Sequence, residues 1–440
     1  MENEYLVMNK HKTIKLTLFT FFQILFVIYF IGCSSKESSN VQCIRTISHN
    51  IKSIELSSEP DDFAFLKKIL LDDSVKIVML GEQTHMDGTT FIAKSKLIKF
   101  LHEQCGFDVL AFESGFYDCS KAWDLIQIDH KYASEMTSAI FGFWTSAKEF
   151  KPLVDYLQNT LNTEHPVILS GIDPALTGYG SQMFLIEDID NYNILDNNQI
   201  KQFIELIKSL AYNKQNDSNT ELDSIKLNDD IQLLDIIFNK IENHLFESEL
   251  KKEFWKHVIE GMKIALKSVY NIKNSNNSFE GSPQSNNRDI QMAENLIWLS
   301  QKKYPDKKII VWAANFHIMR NFSEIDFPDS MSKLTSNTVT MSDKIYKYIG
   351  NKMFSITFTD YKNYLNSSAS NDAIEYSFEQ ANYEYAFINL RDTLNKCLTD
   401  KFVTRIDGHI ELKGKWRNVT DGIFYIQKIN KSNLGSNSLF

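Results

Sequence analysis

Cysteine and positive charge are scarce in this sequence, and the glycine-rich signatures of nucleotide binding are missing. Five cysteines occur in 440 residues, none in a Cys-x-x-Cys pair, which removes the common zinc and thioredoxin patterns. Cys43, Cys105, Cys119 and Cys397 form no dense framework, so at most one disulfide is expected. Lys and Arg total 47 against 56 Asp and Glu, a net charge of −9. Phosphate binding needs a basic surplus on some face, so nucleic acid is excluded as a partner. No Gly-rich phosphate loop follows the first apolar run, which sets aside dinucleotide and P-loop chemistry. No Gly-x-Ser-x-Gly elbow surrounds Ser114 or Ser170, so a serine nucleophile is set aside too. No internal repeat is visible. What the chain does have is 43% hydrophobic and 12% aromatic residues, ample for a sizeable globular core.

The amino terminus reads as an export signal. Lys10, His11, Lys12 and Lys15 precede a mostly apolar run from Leu16 to Ile31 that ends at Gly32-Cys33, the order of charges and apolar residues in a signal peptide. Phe30-Ile31-Gly32-Cys33 resembles a bacterial lipobox, which makes residues 1–33 a lipoprotein signal peptide and Cys33 the lipidated first residue of the mature chain. The alternative is an uncleaved anchor, although the run is shorter than a typical spanning helix. Either way the body is expected to be exported, as a periplasmic or outer-membrane lipoprotein held to the membrane by its lipid. Residues 34–43 are Ser/Asn-rich and polar, a composition that predicts a flexible tether, with the folded body at 44–440.

Within that body, Val75 to Leu80 is a short apolar, β-branched run closed by Gly81, as a buried strand would be. Leu97, Ile98 and Leu101 fall at helical spacing before Gly106, and Asp108 to Phe112 is the next strand. The pattern recurs with helical Lys148 to Leu161 before the run Pro166 to Gly171, and with helical Ile290 to Lys303 before the run Lys308 to Ala313. Such βαβ units build parallel sheets, so the expected fold is α/β, a central mostly parallel sheet flanked by helices. Phe354 to Phe358 and Ile423 to Ile426 are further strand candidates, and the stretch 187–273 reads as a helical insertion followed by a polar loop.

In an open parallel sheet the ligand site lies beyond the carboxyl ends of the strands. Glu82, Thr84, His85 and Asp87 follow the first strand, Glu113 and Ser114 the second, Asp173 the third, and Asn315 and His317 the fourth. Singly, each has a plain structural role open to it: a helix cap for Glu82, a hydrogen-bonded loop histidine for His85 or His317, a turn for Asp173 before Pro174. Glu113 follows an apolar run, so burial should raise its pKa unless it is paired. Together they deliver two histidines and several carboxylates to one sheet edge. A carboxylate beside a histidine fixes its tautomer and raises its basicity, the arrangement a general base needs to deprotonate water. Arg288, which with Asp289 opens a helix, suits clamping a carboxylate or stabilising an oxyanion, or else an exposed first-turn position. Arg288, Asp173 and Asn315 are the expected substrate-binding residues.

As an ordered set these segments resemble the erythromycin esterase family. The resemblance rests on Gly81-Glu82-Gln83-Thr84-His85, Gly106 to Glu113, Gly171-Ile172-Asp173, Arg288 to Asn295 and Trp312 to His317, and it covers most of the chain from about Val75 to His317. It implies an α/β fold with a helical portion, and metal-independent hydrolysis in which a histidine activates water against an ester or lactone carbonyl. By that resemblance His85 is the general base, Glu82 and Glu113 orient and polarise it, and His317 assists at the carbonyl or leaving group, with Arg288 nearby. Two positions depart from the pattern. Ala314 stands where the family often has a histidine, which bears on macrolide cleavage, and Met86 replaces a common glycine, leaving Gly88 to supply loop flexibility.

The expected activity is therefore hydrolysis of a small-molecule ester or lactone, with a macrolide ring, and hence antibiotic resistance, as what the resemblance names. No cofactor is expected. Glu82, His85, Glu113 and His317 are also a mixed N/O donor set of the kind zinc takes. A metal-dependent hydrolase of another bond is thus one alternative, and an exported ligand-binding lipoprotein without turnover is the other. The oligomeric state is open.

Overall fold

The computed structural model describes residues 39–58, 60–211, 224–244, 248–275, 283–329, 335, 337–392, 397–398 and 400–435. The expected signal peptide, residues 1–33 with Cys33, lies outside the described residues. The strands, in chain order, are β1 (Ser48–Ile51), β2 (Ile77–Leu80), β3 (Phe107–Gly115), β4 (Ile168–Asp173), β5 (Lys308–Trp312), β6 (Ile325–Asp326), β7 (Met353–Lys362), β8 (Tyr385–Asn389), β9 (Phe402–Asp407), β10 (Ile410–Gly414) and β11 (Gly422–Lys428). Eight form one sheet in the order β1-β8-β11-β7-β2-β5-β3-β4, and β6-β10-β9 form a second, smaller one. From β11 to β4 every neighbouring pair in the main sheet is parallel. β8 runs antiparallel to both β11 and β1. The expected α/β architecture is present.

The parallel strands read as unbroken apolar runs because both of their faces are covered. Along β2, Val78 and Leu80 pack into one core with Leu110, Phe112, Ile310 and Trp312. Ile77 and Met79 point into the opposite core with Val109, Ala111, Ile309 and Val311. That second core is completed by the helices Asn197–Ala211, Ser224–His244 and Glu249–Ser275, through residues such as Phe203, Leu234 and Ile259. Residues of the expected helical insertion are therefore structural partners of the sheet. Gly106, with φ +69°, closes the Gly88–Cys105 helix in the left-handed conformation, where glycine bears no Cβ penalty.

The amino-terminal boundary is corrected. A helix runs over Ser39–Ile47 with Val41, Cys43, Ile44 and Ile47 buried, so the last part of the expected tether belongs to the folded body. The polar composition concealed one apolar face, which packs with Phe378, Ile388 and Tyr425. Among the described residues Cys43 is disulfide-bonded to Cys397, while Cys105 and Cys119 are free and buried, within the expected limit of at most one bridge.

Candidate active site

Four adjacent strands, β2, β5, β3 and β4, present their carboxyl ends side by side, and the polar residues follow in that order. Glu82 lies two residues beyond β2, and His317 sits in a short helical turn, Asn315–Ile318, just after β5. Glu113 lies within β3, where the register against β4 shifts between Phe112 and Gly115. Three steps on β3 there face two on β4, a bulge of the kind that re-aims a side chain at a strand end. Asp173 ends β4.

One half of the site is built on Glu82, which is fully buried. Its Oε1 lies 2.7 Å from His85 Nδ1 and accepts from Trp144 Nε1 at 2.9 Å. Its Oε2 accepts from Lys94 Nζ at 2.9 Å. Lys94 is itself completely buried, with its ammonium 3.9 Å from the centre of the Trp312 ring, so each charge is compensated by the other. Burial pushes the Glu82 carboxyl up, but Lys94 and His85 outweigh it and hold it below the ordinary value. Burial also drives Lys94 down, and Glu82 and Glu113 offset it only in part, leaving it at about 8. His85 keeps 37% of its side chain exposed, edge-on to Phe141 and Trp144. Burial lowers its pKa, yet the hydrogen bond and charge of Glu82, with Glu113 behind it, raise it above the ordinary histidine value. Among the described residues no hydrogen bond occupies His85 Nε2.

The other half is a closed ionic network. Glu113 Oε1 accepts from Arg288 Nη2 at 2.8 Å and lies 3.1 Å from His317 Nε2. Its Oε2 accepts from the backbone N–H of Ala314 at 2.9 Å. Arg288 also grips Asp173, through Nε at 3.2 Å and through Nη2, and Asp173 Oδ1 accepts from Ala175 N at 3.0 Å. Asp173 is thus both the turn residue and an anchor for the arginine. His317 Nδ1 meets Asp289 Oδ1 at 2.9 Å. Arg288 Nη1 also lies 3.1 Å from His317 Nε2, a contact a neutral ring would accept. The two carboxylates outweigh it: burial lowers His317, but Asp289 and Glu113 carry its pKa up to about 10. The ring is then an imidazolium, with its protonation assigned from its neighbours. Burial likewise would raise Glu113, as expected for an unpaired carboxyl, but His317 and Arg288 hold it well below the carboxylate range.

Asn315 is not brought to the cleft. It is fully buried, its Nδ2 donates to Phe358 O at 2.9 Å and to Ile406 O, and its Oδ1 accepts from Phe358 N at 3.1 Å. All its amide capacity goes to backbone, so the expected substrate-binding role gives way to a structural one. A Cβ at Gly81 would stand 1.9 Å from its Oδ1, which explains the glycine after β2. Gly88 likewise serves close approach rather than flexibility, since a Cβ there would sit 2.9 Å from Ser432 Cα.

Sequence reasoning missed Lys94, Trp144 and the role of Asp289. Lys94 had a signal: it lies three and four residues before Leu97 and Ile98, on the helix face that goes inward. Trp144 comes from a single helical turn, Gly142–Thr145, too short to show a periodic signal.

The donor set does not suit zinc. Lys94 and Arg288 already stand as cations on Glu82 and Glu113, and both His317 nitrogens face carboxylates. Among the described residues no group of three or more His, Cys, Asp or Glu side chains is arranged to hold a metal ion.

With this geometry in place, comparison with known proteins is decisive for kinship. The family model described as Erythromycin esterase matches residues 102–428. The chain belongs to the erythromycin esterase family. It is 27% identical over 410 residues to YbfO of Bacillus subtilis (strain 168), a hydrolase by name, covering 84% of this chain and 87% of that protein. It is 23% identical over 417 residues to erythromycin esterase type II of Escherichia coli, covering 84% and 93%. A solved mutant of erythromycin esterase EreC in its open conformation superposes with a TM-score of 0.65 at 15% identity, covering 88% of this chain and 99% of that one, a likeness of fold. Membership of the erythromycin esterase family makes the chain a hydrolase with a small-molecule substrate.

Proposed function

We propose that this hydrolase cleaves a carboxylic ester or lactone with water activated directly by His85. The observation that carries the reading is the asymmetry of that ring: Glu82 takes Nδ1 at 2.7 Å, while Nε2 is on the partly exposed side. In this mechanism Nε2 accepts a proton from water as the hydroxide oxygen bonds to the carbonyl carbon. The oxyanion so formed is stabilised by the positive charge of Arg288 and His317. As the tetrahedral species collapses, the C–O bond to the leaving group breaks and protonated His85 returns its proton to the departing alkoxide. No covalent enzyme intermediate and no metal enters. A macrolide ring, and with it antibiotic resistance, is the substrate suggested by the name of the type II relative. Export and lipidation at Cys33 are part of the same proposal, supported by the amino-terminal sequence and by the Cys43–Cys397 disulfide, a bond that persists in oxidising compartments.

The test is mass spectrometry of the purified full chain incubated with macrolides, lactones and simple esters, beside His85→Ala and a chelator-treated sample. The expected product of a lactone or macrolide is heavier than substrate by one water, and a simple ester should give its acid and its alcohol; either outcome should be absent with His85→Ala and undiminished by chelation. Product that survives His85→Ala, or vanishes on chelation, would overturn the mechanism.

A further inference from the structure

The turn that carries His85 has a second, buried side. Glu82 and His85 face the cleft, whereas Gln83 and Asp87 reach back into the protein, where both are buried. Asp87 closes the turn on itself: Oδ2 accepts from Thr84 N at 2.9 Å and Oδ1 from Thr84 Oγ1 at 2.8 Å. The same Oδ1 lies 3.2 Å from His409 Nε2, and His409 Nδ1 lies 2.6 Å from Asp360 Oδ1. Gln83 Nε2 donates to that Asp360 oxygen at 2.8 Å. Asp360 belongs to β7, the neighbour of β2. Three distant segments therefore meet behind the His85 turn.

His409 arrives there by unusual backbone. β9 and β10 pair at Asp407 and Ile410, so Gly408 and His409 form a two-residue hairpin loop, with φ of +54° and +59°. A positive φ at both central positions is what the twist-matched hairpin turn requires, and histidine is an uncommon occupant of the left-handed region. The side chain is 6% exposed and both aspartates are fully buried. Ionised carboxylates only accept, and a neutral imidazole donates from one nitrogen only. Serving both aspartates therefore requires the doubly protonated ring, and the pKa agrees: burial lowers it, but Asp360 and Asp87 carry it to about 9. The other groups facing it are Arg405, whose Nε donates to His409 O at 3.1 Å and whose Nη1 is 3.6 Å from Asp360 Oδ2, and the Tyr364 ring.

We propose that His409 is a positioning residue for the hydrolysis, an imidazolium bracket between Asp360 and Asp87 that fixes the turn on which His85 stands. This rests on His85 being the general base. His409 touches no reacting atom; it acts by holding the 2.7 Å Glu82–His85 contact in register, where a displacement of about 1 Å can lower turnover about 100-fold.

The test uses the full chain and His409→Gly, which suits the positive φ and leaves a ring-sized space. With the ester that the wild type turns over, kcat should fall about 100-fold with KM within about threefold. Added imidazole should restore part of it, with an apparent affinity that is constant below about pH 7, where free imidazole is a cation, and that weakens as pH rises above it. Unchanged kcat, or rescue that follows neutral imidazole, would overturn the proposal. Should His409→Gly fail to fold, His409→Gln, whose amide donates from a single nitrogen and carries no charge, should fold and still lower kcat about tenfold; full activity in it would overturn the bracket. A readout independent of turnover separates this idea from the hydrolase reading: histidine-selective NMR titration. His409 should stay doubly protonated at pH 7, and the His85 midpoint should fall toward 6.5 in the variant as its Glu82 contact loosens. An unmoved His85 midpoint sinks the bracket even if esters are cleaved; a shifted midpoint with no ester cleaved sinks the hydrolase reading alone.

Discussion

His85 and His317 stand on opposite halves of one site, and the difference between them is the number of carboxylates each ring meets. His85 has one, Glu82, and keeps its second nitrogen on the partly exposed side of the ring. His317 has two, Asp289 and Glu113, and is 9% exposed. In the proposed reaction the same imidazole is thereby a base in one place and a fixed cation in the other. Groups whose environments push their protonation apart are what general acid–base chemistry requires. On the proposed mechanism the half around His85 serves proton transfer, and the half around His317 and Arg288 holds charge.

The largest expected effect breaks the comparison by function. His85→Ala should lower kcat about 10²–10⁴-fold, the usual contribution of a general base, while the urea midpoint scarcely moves. His317→Leu should do both, because it leaves Asp289 and Glu113 facing a gap: a loss of about 3–5 kcal/mol in denaturant unfolding, as for other broken buried pairs, together with lost activity. If the two variants showed the same profile, the division of roles would be wrong.

Next in size is the pH dependence, which sharpens the comparison without mutation. His85 must be neutral to act, and its pKa is raised, so kcat/KM should rise with pH through a limb above the ordinary histidine value of 6.5. His317 must stay charged, so activity should fall again as pH climbs through about 10. Beyond each limb the change should be about tenfold per pH unit. Stability carries the same signs. The raised His317 contributes stability that is complete below its unfolded pKa and lost as pH rises through about 10. The depressed Glu113 contributes above its unfolded pKa, lost as pH falls through its lowered folded value. A single acidic limb with no alkaline fall would remove His317 from the reaction.

The smallest effect on catalysis belongs to Asn315→Ala. Its three backbone partners would be left buried and unpaired, at roughly 1–3 kcal/mol for each such group, while KM should stay within about twofold. A large rise in KM with unchanged stability would return Asn315 to the substrate-binding set.

Much of this was legible in the sequence. The apolar runs ending at Gly81, Phe112, Gly171 and Ala313 marked four parallel strands, because strands covered on both faces need no polar residues. Sheet topology then put Glu82, His85, Glu113, Asp173 and His317 on one edge. Asn315 was misassigned because a polar residue just past a strand looks the same whether it turns to ligand or to backbone. The edge strand β1, its neighbour β8 and the hairpin of β9 and β10 escaped notice, since short, partly exposed strands lack a continuous apolar signal.

What the sequence determined by itself was the alternation of strands and helices, through the local pattern of apolar residues, and with it the edge where the chemistry collects. Only the tertiary structure decided the protonation states. Lys94 on Glu82, Arg288 on Glu113 and His409 between Asp87 and Asp360 are pairings across 12, 175, 322 and 49 residues of chain. A proton's affinity depends on burial and on the charges within a few ångströms, and only the folded chain sets those distances.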